Sequence, residues 1–239
     1  MLSVRSLVGV VITVLATVLL VKLGVWQLER AEFKRDWMAQ LEARGEQPLA
    51  WPLGTVELAG YRLSVSGHWL PERALLLDNQ TLDGQVGYRW LVPIEIEPAQ
   101  PWLLVDLGFV PAPVRRNELP ALPELPPFSH VSGRLYQPGV NRLAAQLLPE
   151  SGAVTRIQAL EWPALSTLWQ HEVVPALLWL KQPSELGFAR PWRPINLAPE
   201  KHQAYALQWF SLAVACVLIS LTLAWRGRLH RRDQADNLG

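Results

Sequence analysis

The sequence predicts an α+β membrane protein in which two transmembrane helices flank one β-rich extracytoplasmic domain. Three observations support this fold class. Two apolar blocks lie near the ends of the 239-residue chain, and each is long enough to cross a bilayer as a helix. Between them, short strand-like runs alternate with turns rich in glycine and proline, which is typical of a β-rich domain. A basic cluster follows the second block, as expected of a cytoplasmic tail.

The first transmembrane helix is predicted over residues 7–26, after a short cytoplasmic N-terminus at residues 1–6. Residues 7–21 are uninterruptedly apolar or small, and Lys22 can extend its charge from the helix end into water. At about 1.5 Å per residue, the helix reaches roughly 30 Å. A cleaved signal peptide is the alternative, but no small-x-small cleavage site follows the apolar core. We therefore expect an uncleaved anchor.

Residues 27–204 are predicted to form the extracytoplasmic domain, which is long enough for one compact unit. Its first part continues the helix amphipathically as far as Gly45. An Asp83-Gly84 dipeptide then predicts a hairpin turn. A short helix is expected over residues 161–170, and the proline-rich stretch 111–127 is expected to be a surface connection. The strand-like segments are residues 58–70, 74–80, 86–96, 102–110, 131–136, 154–159 and 174–181. This pattern predicts a small barrel or a curved sheet.

The second transmembrane helix is predicted over residues 205–225. Trp209 and Trp225 mark its two interfaces with the headgroups, and residues 226–239 form a basic tail. Because basic residues flanking a span remain in the cytoplasm, we expect both termini inside and the β-rich domain outside. In a bacterium this places the chain in the inner membrane with its domain in the periplasm.

Composition and motifs exclude several classes of function. A formal net charge of +1 gives no reason to expect nucleic-acid binding. The single cysteine, Cys216, excludes an intrachain disulfide and a thiolate zinc site. The sequence contains no P-loop, dinucleotide-binding glycine fingerprint or Gly-x-Ser-x-Gly elbow, so we expect no enzyme and no catalytic residues. His68, His130 and His171 are scattered, and each is expected to be a surface or edge histidine.

The entry to the second helix carries the candidate binding site. His202, Tyr205 and Trp209 are spaced i, i+3 and i+7, which places them on one helical face. A neutral imidazole is a good axial ligand for haem iron, and flanking aromatic rings can cover a porphyrin. The same histidine would also serve as a cap or anchor at the headgroup level. Spacing alone leaves both interpretations open.

The chain resembles the Surfeit locus protein family, the membrane assembly factors for cytochrome c oxidase, and looks like a bacterial member. The resemblance covers essentially the whole chain and its two-helix layout. The segments that carry it are Leu23-Gly24-Val25-Trp26-Gln27-Leu28-Glu29-Arg30 followed by Lys34, Gly87-Tyr88 with Pro93, Val105-Asp106-Leu107-Gly108-Phe109-Val110-Pro111, Gly133-Arg134-Leu135, and Pro199-Glu200-Lys201-His202-Gln203-Ala204-Tyr205-Ala206-Leu207-Gln208-Trp209-Phe210. One motif departs from the family, where Asn-Arg-Gly-Trp-Val-Pro is usual. Here Asp106 to Pro111 lacks its arginine and tryptophan.

The resemblance implies a non-enzymatic role in assembling the haem-copper oxidase, respiratory complex IV. It implies that haem a is held transiently and delivered to the large catalytic subunit, with His202 as the ligand of the haem iron. Tyr205 and Trp209 would line the porphyrin, while Trp26 and Arg30 on the facing helix would meet the ring and a propionate. The implied partners are the catalytic subunit of the oxidase and other assembly factors.

Two alternatives stay open. The first is a scaffold or chaperone that binds oxidase subunits without touching haem. The second is a membrane-anchored periplasmic enzyme, which would need a cleft of convergent polar groups in the outer domain.

Overall fold

The computed structural model describes residues 4–54, 57–113, 115, 118–138, 146–150, 152–195 and 197–236. The chain divides into two compact units. Met1–Met38 and Ile195–Gly239 form the first, and Ala39–Pro194 forms the second. We refer to the first as the helix pair and to the second as the barrel domain.

The helix pair consists of two long helices, α1 over Val4–Gly45 and α3 over Pro199–Asp236, and the last turns of α1 belong to the barrel domain. Both helices are long and apolar enough to cross a membrane. Their apolar side chains are largely exposed, Leu15 by 64% and Leu223 by 64%, unlike those of a core helix in a soluble protein. The predicted two-helix membrane architecture is confirmed, and α1 runs unbroken to Gly45, as its amphipathic continuation predicts.

The two helices meet along a seam of small and polar residues. The hydroxyl groups of Thr13 and Ser220 lie 3.0 Å apart, within hydrogen-bonding distance. Farther along, Gly24 faces the ring of Phe210, and a Cβ atom at this glycine would lie 2.5 Å from Phe210 Cε1. These contacts run in opposite order along the two helices, so the pair is antiparallel. Small residues at such positions let helices in lipid approach closely.

Eight strands, one 3₁₀ turn and one helix make up the rest of the barrel domain among the described residues. The strands are β1 Pro48–Leu49, β2 Arg62–Trp69, β3 Leu75–Leu82, β4 Gln85–Glu95, β5 Trp102–Pro111, β6 Phe128–Tyr136, β7 Thr155–Ile157 and β8 Val173–Gln182. The 3₁₀ turn covers Pro71–Arg73, and the helix, α2, covers Trp162–Trp169.

The sheet order is β1-β2-β6-β8-β5-β4-β3-β7, and β2 also pairs with the end of β4. That extra pairing joins His68 to Glu95 and Trp69 to Ile94. It closes β2, β6, β8, β5 and β4 into a small barrel, with β3 and β7 extending the sheet beyond β4. The pairings β5–β8, β1–β2 and β3–β7 are parallel, and the others are antiparallel.

Side-chain alternation builds two cores. β2 alternates strictly between exposed and buried residues, so one face lines the barrel and the other meets solvent. β5 is buried on both faces, because one face lines the barrel core and α2 covers the other. The barrel core includes Leu63, Trp90, Ile94, Val105 and Leu178. The outer core beneath α2 includes Leu75, Leu91, Leu104, Leu165 and Trp169.

The β-rich prediction is confirmed element by element. Each predicted strand segment contains or overlaps an observed strand, and α2 lies within the predicted helix. Asp83 and Gly84 have φ angles of 49° and 83°, as the two central residues of a type I′ hairpin turn require. The short strand β1 and the 3₁₀ turn were not anticipated. In the described part of the proline-rich stretch, β5 ends at Pro111 and no further strand begins before Phe128.

Candidate functional site

His202 lies in the first turn of α3. Pro199 begins the helix with its fixed φ, and Glu200 adds a negative charge at the positive end of the helix dipole. The side chain of His202 is buried, with 7% of its surface exposed. The local sequence therefore places an imidazole at a well-formed helix start and in the seam of the helix pair.

Gln27 of α1 orients the His202 ring. Its side-chain oxygen, Oε1, lies 2.7 Å from His202 Nδ1. An amide oxygen only accepts hydrogen bonds, so Nδ1 carries the proton and donates it. The neutral ring then has a free electron pair on Nε2, the atom that coordinates metals in this tautomer.

The Nε2 atom of His202 is buried and makes no hydrogen bond to any described residue. Leaving a buried polar atom without a partner costs about 1–3 kcal/mol, and such an atom in a native protein calls for an explanation. A ligand that binds Nε2 would supply that missing interaction. Because the atom is covered, neighbouring side chains must move before a ligand reaches it.

Two cations of α1 accompany this histidine. Lys34 donates a hydrogen bond from Nζ to the backbone oxygen of Leu197 at 2.7 Å, and this contact fixes the chain just before α3. Arg30 lies one turn earlier, with Cζ 5.3 Å from the centroid of the Phe33 ring. Both cations act electrostatically on His202. The surroundings of the imidazole are therefore positive and suit carboxylates.

The other predicted site residues occupy different positions around the helices. Tyr205 is 45% exposed and Trp26 is 50% exposed, while Trp209 is half-buried. Ala206, rather than Tyr205, is buried on the same side of α3 as His202. At 100° per residue, position i+4 lies 40° from position i, whereas i+3 lies 60° away on the other side. Sequence spacing places Tyr205 on the same face as His202. In the structure Ala206 is buried with His202, and Tyr205 is not.

Gln27 was not among the predicted site residues, although a signal for it was present. Gly24, Gln27, Ala31 and Lys34 are spaced by three and four residues along α1. Such spacing marks the side of a helix that faces an antiparallel partner. A polar amide on that side, in the motif shared with the family, was the detectable clue.

The central motif of the barrel domain contains a buried ion pair. Arg89 on β4 donates hydrogen bonds to both carboxylate oxygens of Asp106 on β5, and the backbone nitrogen of Gly108 donates another at 2.9 Å. Arg89 also lies 4.1 Å above the Trp179 ring. Burial raises the pKa of the Asp106 carboxyl, while the Arg89 charge and the Gly108 hydrogen bond oppose that rise. Leu107 is fully buried in the barrel core, so it fills space where the family motif has an arginine.

An open cleft of about 720 Å³ lies on the outside of the barrel domain. Its lining combines aromatic and charged residues and, among the described residues, includes no histidine or cysteine. The scattered histidines lie elsewhere. His130 contacts the hydroxyls of Ser64 and Ser66 at 3.0 and 2.8 Å on an exposed face of the sheet. No group of three His, Cys, Asp or Glu residues in the described part of the chain could hold a metal ion.

Together, these features define a class: a protein with a small β-barrel domain and two membrane-type helices, with a buried imidazole between the helices. Comparison with known proteins agrees with this class. The model of the SURF1 family matches residues 14–214, so this chain belongs to the SURF1 family, a family of cytochrome c oxidase assembly factors. The resemblance noted in the sequence is thereby confirmed.

A SURF1-like protein from Monosiga brevicollis is similar to part of this chain. The two are 29% identical over 103 residues. The matched region covers 37% of this chain and 40% of that relative, so less than half of either protein is aligned.

Proposed function

We propose that this protein is a membrane assembly factor of cytochrome c oxidase that holds haem a and delivers it to the large catalytic subunit. Family membership supports the assembly role. The observation that carries the haem assignment is the buried Nε2 atom of His202, which has no partner among the described residues.

The residues of the helix pair fit this cargo. His202 would bind the haem iron through Nε2, and Gln27 would hold the ring in the ligating tautomer. Arg30 and Lys34 would meet the propionates. Haem a supplies an iron that accepts an imidazole as axial ligand and an apolar ring that aromatic side chains can cover. Tyr205, Trp209 and Trp26 are the aromatic residues proposed to line it.

One ligand suits temporary holding. A single histidine competes poorly with an oxidase site that offers more iron ligands, so transfer would run towards the oxidase. Entry also requires the covered Nε2 atom to be uncovered, which costs the seam some of its packing. Both effects limit affinity, as expected of a carrier rather than of a permanent haem protein.

We also propose the location that this function requires. Both termini would lie in the cytoplasm, the helices would cross the inner membrane, and the barrel domain would lie in the periplasm. The basic tail after the second span supports this orientation. His202 would then lie at the periplasmic surface of the inner membrane.

A scaffold that binds oxidase subunits without haem is the second candidate. The observation that favours it is the His202–Gln27 contact itself. This hydrogen bond, like that between Thr13 and Ser220, gives the histidine a purely structural reason to be present.

The variant His202→Asn separates the two candidates in cells. An asparagine amide can replace the Nδ1–H donor to Gln27, but it has no equivalent of Nε2. A carrier predicts that cells with His202→Asn assemble oxidase subunits deficient in haem a, although the catalytic subunit still co-purifies with the variant. A scaffold predicts normal haem content with His202→Asn. Haem per catalytic subunit, measured by absorbance, is the readout.

A further inference from the structure

The open cleft of the barrel domain has a charge imbalance that the haem assignment does not use. Among the described residues, three cationic ones line it, Arg134, Lys181 and Arg190, together with a single carboxylate, Glu42. Glu42 is fully engaged by Arg134, with its oxygens at 2.8 and 3.0 Å from the guanidinium. Two positive charges among the lining residues are therefore left without a lining carboxylate.

Arg190 makes the wall of this cleft rigid. Its guanidinium donates to five backbone oxygens, those of Leu180, Pro183, Ser184, Leu186 and Phe188. Carbonyl partners satisfy its N–H groups without cancelling its charge. Burial lowers the pKa of Arg190, and the charge of Asp106 opposes that shift. The loop after β8 is thus held in one shape with a fixed positive charge at its centre.

An aromatic floor accompanies these charges. The rings of Trp179 and Trp192 pack edge to face with centroids 5.4 Å apart, and Arg134 lies 5.5 Å from the Trp192 centroid. Lys181 is exposed beside them, and its ammonium has no hydrogen-bond partner among the described residues. The cleft therefore offers a free cation next to flat apolar surface.

We propose that this cleft binds a short acidic segment of a partner polypeptide, with a carboxylate on Lys181 and an aromatic or proline side chain against Trp192. Charge complementarity selects the acidic group, and half-buried tryptophans such as Trp192 pack well against aromatic and proline residues. Small-molecule sites bury most of their ligand, which an open cleft does not do. A segment tethered to a larger partner fits better. This inference is independent of haem binding.

Fluorescence anisotropy with labelled peptides tests the proposal on the full chain in phosphatidylcholine nanodiscs. The probe is a fluorescein-labelled Asp-Glu-Trp-Asp-Pro-Glu peptide, and its matched control is Asn-Gln-Trp-Asn-Pro-Gln. We expect saturable binding of the acidic peptide only. Lys181→Glu should weaken it about tenfold, and Glu42→Gln should tighten it about threefold, because each changes the charge beside the bound carboxylate.

Arg73→Glu is the matched control variant, since Arg73 is exposed and lies outside the cleft lining. It makes the same change in net charge and should leave affinity unchanged. Circular dichroism checks that each variant is folded. Equal binding of the acidic and amide peptides, or equal losses in Lys181→Glu and Arg73→Glu, would overturn the proposal. Displacement of the peptide by an equal concentration of glutarate would contradict a polypeptide ligand and indicate that the cleft binds a small acid instead.

Discussion

The helix pair and the barrel domain each bury a polar side chain, and the two side chains differ in how completely they are hydrogen-bonded. Asp106 in the barrel domain accepts hydrogen bonds from Arg89 and from the Gly108 backbone. His202 in the helix pair has one partner, Gln27, and a second nitrogen with none in the described structure. A fully satisfied polar group has a structural explanation. A half-satisfied one has an interaction left to make, and for His202 we propose that this interaction is ligation of haem iron.

The same two regions are also built for different solvents. The barrel domain encloses its apolar residues, such as Ile94 and Leu103, which are fully buried. The helix pair exposes its apolar residues and keeps Thr13, Gln27 and Ser220 in its seam. Lipid supplies no hydrophobic force between helices, so small residues and hydrogen bonds must hold them together. A polar seam is therefore the expected place for a ligand site in this region.

Breaking the buried ion pair between Arg89 and Asp106 should have the largest effect on the stability of the protein. Arg89→Met leaves the Asp106 carboxylate buried without its cation, which costs about 3–5 kcal/mol. Thermal unfolding of the full chain in detergent, followed by near-ultraviolet circular dichroism, measures the loss. Arg89→Met/Asp106→Leu should recover most of it, because both charges are then gone. A double variant as unstable as Arg89→Met would contradict this account of the pair.

The pH dependence of Arg89→Met sharpens the same test. Burial already raises the pKa of Asp106, and removing Arg89 removes the first of the effects that oppose the rise. A carboxyl whose pKa is higher in the folded state than in the unfolded state destabilises the fold most at high pH. The loss of folding stability in Arg89→Met should therefore shrink as the pH falls from about 8 through the folded-state pKa of Asp106 towards its unfolded-state pKa of about 3.9. A loss that does not change with pH would show that the carboxylate is not its source.

Filling the seam should have the next largest effect. Gly24→Val places a side chain against the Phe210 ring and should cost about 1–3 kcal/mol of helix association through overpacking. The measurement is disulfide formation between Thr13→Cys and Ser220→Cys in a Cys216→Ser background. Gly24→Val should slow it, and Phe210→Ala should restore it.

Gly9 provides a matched control for the seam, because an added Cβ there would have no neighbour within 4 Å. Gly9→Val should leave cross-linking unchanged. If both valine variants slow the reaction equally, close approach at Gly24 is not what holds the helices together.

Removing the partner of His202 should have a smaller effect. Gln27→Leu deletes one hydrogen bond, a change of about 1 kcal/mol, and frees the ring to exchange tautomers. Nitrogen-15 chemical shifts of the His202 ring should move from the Nδ1–H form towards a mixture. Gln208→Leu is the control, since Gln208 is exposed on α3. An unchanged tautomer in Gln27→Leu would remove the role proposed for the amide.

The smallest predicted effect concerns the far end of the seam. Thr13→Val removes the hydroxyl contact with Ser220 and should weaken helix association by about 0.6 kcal/mol, the average for hydrogen bonds between helices in membranes. A steric-trap unfolding assay in bicelles resolves changes of this size. A loss near that of Gly24→Val would mean that hydrogen bonding, rather than close packing, dominates the seam.

Local signals predicted most of the barrel domain. The alternation in β2 and the Asp83-Gly84 turn depend only on residues that are neighbours in sequence, so both were predicted. The choice between a small barrel and a curved sheet stayed open, because closure depends on His68 meeting Glu95 and Trp69 meeting Ile94. Pairings between residues far apart in sequence leave no periodic trace within either segment.

The candidate site shows the same limit. His202 was identified from its own surroundings in α3, whereas its partner Gln27 lies 175 residues away. Spacing grouped Tyr205 with His202, but which of several nearby faces packs inward depends on the other helix. The position of Tyr205 in a haem site stays a prediction.

The visible spectrum of protein purified from cells that make haem a tests the central claim most directly. The protein would be compared with His202→Ala and with His130→Ala, which removes an exposed histidine of the barrel domain. We predict bound haem a in the wild type and in His130→Ala, and its loss in His202→Ala. Equal haem a spectra in all three proteins would contradict the assignment of His202 as the ligand.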